Sequence, residues 1–142
     1  MPRLALARLS LTEMLADADA NAESRAGLTA DAQALILAET AATEAEIGRI
    51  IFGLLVMYEG FERRGEQVKT MVVAQWRHSL GGWPADVLHA AAQRWLNGPK
   101  AAFVPQPGDV LGLCEEIGGY RRALARKAAR FLAATENQRS SR

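Results

Sequence analysis

Apolar residues recur at spacings of three and four along most of this chain. The pattern is sharpest from Ile47, where Ile47, Ile50, Ile51, Leu54, Leu55, Tyr58 and Phe61 share one helical face, the face expected to meet a core. Gly53 is interior to that helix and costs about 1 kcal/mol against alanine, a cost that close helix packing would explain. Val68, Met71, Val72, Trp76 and Leu80 mark the next helix, which "GG" at 81–82 ends. Val87, Leu88, Ala91 and Trp95 mark another, with Pro84 in its first turn and "NGP" at 97–99 closing it. Val110, Leu113, Cys114, Ile117, Tyr120, Leu124 and Phe131 form the stripe of a last helix, opened by Pro107. "GG" at 118–119 either hinges or weakens it, and "ENQRSSR" at 136–142 is expected to fray.

The N-terminal third is less regular. "SLTE" at 10–13 is a capping box that opens a short helix to about Ala20. "NAESRAG" at 21–27 reads as a polar loop, with Thr29 capping a helix from Ala30. "TEAE" at 43–46 is a second capping box inside what also reads as continuous helix, so residues 29–61 form one helix or two. Alanine is abundant, β-branched clusters are few, and no Asn-Gly or Asp-Gly hairpin turn occurs. The expected fold is all-α: a small bundle of about five to six helices with a basic C-terminal helix. Residues 1–45 read as a helical extension, 46–119 as a helical core domain, and 120–142 as the basic helix and frayed tail.

Charge changes the picture. The 142 residues carry a formal net charge of +1, but it is unevenly spread. Residues 1–45 hold three basic and seven acidic residues, 46–119 seven and eight, and 120–142 seven and one, giving −4, −1 and +6. Within the last segment Arg122, Arg126 and Arg130 stand four apart, with Arg121 and Lys127 beside them. Such a stripe is either a solvated helix face or a contact for phosphates or an acidic protein surface. A membrane-surface role is disfavoured because the apolar side of the helix is largely alanine.

Candidate catalytic chemistry is sparse. His78 and His89 fall on different helices without a metal-ligand spacing, and the neighbouring Glu115 and Glu116 point about 100° apart on a helix. Phosphate-binding glycine motifs and nucleophile motifs are absent from the sequence. Cys114 is the lone cysteine and reads as a core thiol. Trp76 and Trp95 fall on apolar stripes and are expected in the core. Trp83, in a turn, is either a hydrophobic cover or a candidate exposed contact. No secretory signal is legible, and "IIFGLLVMY" at 50–58 falls far short of the ~20 residues that cross a bilayer. The reading is a cytoplasmic protein that is not an enzyme and needs no cofactor.

"FVPQPGDV" at 103–110 reads as a joint, with Phe103 and Val104 dipping into the core and Pro-x-Pro stiffening the approach to the last helix. A polyproline ligand is the weaker reading, because flanking basic residues are missing. The order "WRHSL" (76–80), "PADVLHAAAQRWL" (84–96), "FVPQP" (103–107) resembles the replicative-helicase loader/inhibitor family of phages and prophages. The resemblance covers about residues 47–118. It implies a small helical, non-catalytic accessory protein of DNA replication that binds the hexameric replicative helicase.

Two other binding roles compete with that expectation. One is an inhibitor or adaptor that blocks another host or defence protein. The other is a small helical DNA-binding protein. In each case the charge pattern, rather than the family, nominates Arg121, Arg122, Arg126, Lys127 and Arg130 as the contact. The stripe from Val110 to Phe131 approximates a heptad seam, which leaves a homo-oligomer open beside simple packing on the body.

Overall fold

The structure, a computed structural model, describes residues 8–141. Residues 1–7 of the expected N-terminal extension, and Arg142 of the expected tail, lie outside the described residues. Among the described residues there are seven helices and no strand: α1 (Leu11–Ala20), α2 (Ala22–Ala38), α3 (Glu44–Leu55), α4 (Glu59–Glu62), α5 (Glu66–Leu80), α6 (Ala85–Leu96) and α7 (Pro107–Ser140). The chain is all-α. Six helices are long, and α4 is a single turn.

The chain divides into two compact units. One comprises the chain up to Glu39 together with the chain from Tyr120; the other is Thr40–Gly119. The expected core segment, 46–119, lies inside the second. In that unit α3 packs against α5 and α6. The core holds Ile47, Ile51, Leu54, Leu55, Trp76, Leu80, Leu88, Val110 and Cys114. Tyr58 and Phe61 reach the same core from the turn after α3 and from α4. The other unit is built on α1, α2 and the later part of α7, closed around Met14, Leu28, Leu35, Ala128 and Phe131. Val110, Cys114 and Phe131 of the expected seam are therefore buried inside the chain.

Both capping boxes form. The Ser10 hydroxyl accepts from Glu13 N at 3.2 Å and the Glu13 carboxylate from Ser10 N at 3.1 Å. Thr43 and Glu46 do the same at 3.1 and 3.0 Å, which resolves residues 29–61 into separate helices. Segment 21–27 is helix rather than loop. Asn21 caps α2 by accepting from Glu23 N at 2.8 Å, and the polar residues that follow face water on its first turns. Thr29 lies inside α2 and caps nothing.

Several side chains leave the core expected of them, for reasons of helical angle. At 100° per residue Met71 stands about 140° from Trp76, so it is exposed, and Val68 lies about 80° away on the rim. Lys69 occupies the inner line instead, its ammonium 5.7 Å from the Phe61 ring centre. Tyr120 is likewise about 120° from Cys114 and is 69% exposed, and Gly118 takes the inward position.

A Cβ at Gly118 would stand 3.0 Å from both γ-carbons of Val87 and 3.2 Å from Trp83 Cζ3, so glycine is what lets α7 approach α6 there. The helix continues through 118–119 and includes the expected fray as far as Ser140. Gly53, by contrast, faces open space, so close packing does not explain it.

Candidate protein-binding surface

The joint before α7 is fastened by its backbone. Trp95 Nε1 donates to the Phe103 carbonyl at 3.1 Å and to Tyr58 Oη at 3.0 Å, and the Tyr58 hydroxyl donates to the Ala101 carbonyl at 2.8 Å. Pro105 is the residue buried there. Phe103, 70% exposed, and Val104 do not dip into the core as expected, because the turn spends its inward direction on carbonyls and on the proline ring. Beside Val104 lies an apolar cleft of about 270 Å³ lined by Leu55, Phe61, Val72, Trp76 and Pro105. Phe103 and Val104 are the surface residues that sequence reasoning missed. Their one signal was their place against two prolines.

Trp83 is 2% exposed, so the hydrophobic cover, not the exposed contact, is its place. Its carbonyl accepts from Ala42 N at 2.9 Å and its ring lies over Gly118. Cys114 is a buried free thiol. His78 and His89 are exposed on separate helices, and no cluster able to hold a metal occurs among the described residues. Glu116 pairs with Arg94 at 3.5 Å. No helix among the described residues is long and apolar enough to cross a membrane.

The five basic candidates are not equivalent. Arg121 is 25% exposed and forms an ion pair with Glu39, the C-cap residue of α2, which is 11% exposed. That guanidinium is engaged inside its own unit. Arg122 and Lys127 are half-buried. Arg126 and Arg130, one turn apart, are exposed on the side of α7 away from the buried Ala125, Ala128 and Phe131.

The ordinary reason for basic residues late in a helix is the negative end of its dipole, which acts within about the last turn. Arg139 has that position. Arg126 and Arg130 lie more than two turns before Ser140, so the dipole does not account for them. What the pair can do is present two guanidinium forks to carboxylates or phosphates. No protein-family model matches the chain, and no curated protein or solved structure matches it.

Proposed function

We propose that the protein acts by binding, as an accessory protein that docks on a hexameric replicative helicase. The exposed Arg126–Arg130 pair carries this reading, since two guanidinium forks one turn apart on the basic helix can take the carboxylates of a partner surface. The resemblance of residues 47–118 to helicase loaders and inhibitors supplies the identity of the partner. In the Thr40–Gly119 unit, the exposed Phe103 is a separate candidate contact, an aromatic of the kind enriched in protein interfaces.

Size-exclusion chromatography with light scattering tests the reading, on the full chain alone and mixed with bacterial replicative helicases. A shared peak is expected, with Arg126→Glu/Arg130→Glu abolishing it while leaving the helical content unchanged. A peak that never forms, or that the double variant leaves intact, overturns the helicase reading or its site. Binding to DNA alone, falling steeply with salt, would move the contact from protein to phosphates.

A further inference from the structure

A second basic feature lies in the Thr40–Gly119 unit and has no part in that reading. Arg77, in the last turn of α5, lays its guanidinium across Gly48 of α3. A Cβ at position 48 would stand 2.5 Å from Arg77 Nη2 and 3.1 Å from Nε. Any other residue at 48 would push the guanidinium away, so the glycine creates its seat. Arg77 Nε is buried and finds no hydrogen-bond acceptor in the protein. A buried donor left this way is costly, and such a group in a native protein calls for an explanation.

The surroundings offer one. α3 and α5 flank a groove of about 550 Å³ whose α3 wall is low at Gly48 and Gly53. Arg49, Lys69 and Arg77 line it, against the single lining carboxylate of Glu66. Lys69 is held in place, its side chain 13% exposed, its ammonium 3.8 Å from Glu66 and 4.0 Å from Glu62. Three cations and one carboxylate line the groove, and Glu62 and Glu46 lie beside Lys69 and Arg49 outside the lining, so Arg77 is the lining cation with no carboxylate partner among the described residues. A phosphate group presents several acceptor oxygens at once, which suits two guanidinium forks on one groove. The groove is larger than a bare phosphate needs and has a half-exposed aromatic, Phe52, on its wall.

We infer that the α3–α5 groove binds a small phosphate ester, its phosphate seated between Arg77 and Arg49 and its organic part lying toward Phe52. The same phosphate chemistry could reach the site as free phosphate or as an ester, and the two differ in whether Phe52 contributes.

Nitrogen-15 NMR of the full chain tests this, with the Arg77 Nε–H and the Gly48 amide as reporters. The Arg77 signal is assigned by its loss in Arg77→Gln. Inorganic phosphate and adenosine monophosphate are titrated separately at constant ionic strength. Saturable shifts at both reporters are expected, with the ester binding more tightly. Arg77→Gln should weaken binding, read at Gly48, by about ten-fold or more, the loss of a charge-assisted hydrogen bond. Arg49→Gln, at an exposed position, should weaken it less and guards against a folding defect in the first variant. Equal binding of the two probes would leave a phosphate seat and overturn the ester, since the organic part would then gain nothing from Phe52. Shifts that never saturate, or saturation unchanged in both variants, would overturn the site.

Discussion

Trp95 and Phe103 are joined through the indole N–H and a main-chain carbonyl at 3.1 Å, while the Phe103 ring itself faces solvent. Backbone and side chain at one position thus have opposite duties. Tyr58→Phe removes the hydroxyl that donates to Ala101 and accepts from Trp95, and should cost about 1 kcal/mol. Phe103→Ser should change stability by less than about 0.5 kcal/mol, as surface substitutions do. Urea denaturation of both variants checks this; a larger loss from Phe103→Ser would mean that its ring packs.

Two glycines on α7 should respond in opposite senses. Gly118→Val drives γ-carbons into Val87 and Trp83, and overpacking of that kind costs about 1–3 kcal/mol. Gly112 is exposed, with nothing within 4 Å of a Cβ, so Gly112→Ala should raise stability by about 0.5–1 kcal/mol through helix propensity. Paired thermal melts separate the two.

The Thr43–Glu46 box gives α3 a pH-dependent start. The Thr43 backbone N–H, then its side chain, then the nearby Arg49 hold the Glu46 carboxyl below its ordinary value of 4.5. A lowered folded-state value means that the contribution is complete above the ordinary value and is lost as pH falls through the lowered one. Thr43→Ala should cost about 1 kcal/mol near neutral pH. Glu46→Gln should instead show a deficit that shrinks in acid, below pH 4.5, because the Thr43 backbone N–H holds the carboxylate itself. Melts across pH 3 to 7 are the measurement (roughly spanning the carboxylate range), and a constant deficit would sink the capping account.

Arg121 and Arg126 are five residues apart yet should differ in kind. Arg121→Ala leaves the Glu39 carboxylate, 11% exposed, short of its ion-pair partner, and should cost about 1–3 kcal/mol. Arg126→Ala should leave stability within about 0.5 kcal/mol and act on binding alone. Equilibrium unfolding of the two single variants distinguishes structural from recognition arginines.

Local signals were legible in the sequence, and their angular and long-range consequences were less so. Ser10–Glu13 and Thr43–Glu46 are short-range motifs and form as written. Asn21 is a cap of the same chemistry, but the polar run behind it looks like loop unless α2 is allowed a water-facing first turn. Tyr120 and Met71 show the limit of reading apolar residues near a stripe as part of it, since one position of offset turns a side chain by 100°.

The basic stripe on α7 was visible from its four-residue spacing. The engagement of Arg121 was not, because Glu39 lies 82 positions away. For the same reason the groove of Arg49, Lys69 and Arg77 has no signature in the chain. Its cations are spread over two helices, and its seat is a glycine whose purpose appears only when α3 and α5 are side by side.

The unit built on α1, α2 and the later part of α7 draws on both ends of the sequence. On the ribosome the α1–α2 pair therefore emerges roughly ninety residues before Ala128 and Phe131, the side chains that complete its core. Until then Met14, Leu28 and Leu35 have no final cover. Nascent chains stalled within residues 40–119 should be cut by protease in 11–38 far faster than the released protein. The same geometry makes a permuted gene, with α1 and α2 placed after Ser140, a way to synthesise that unit without the interval.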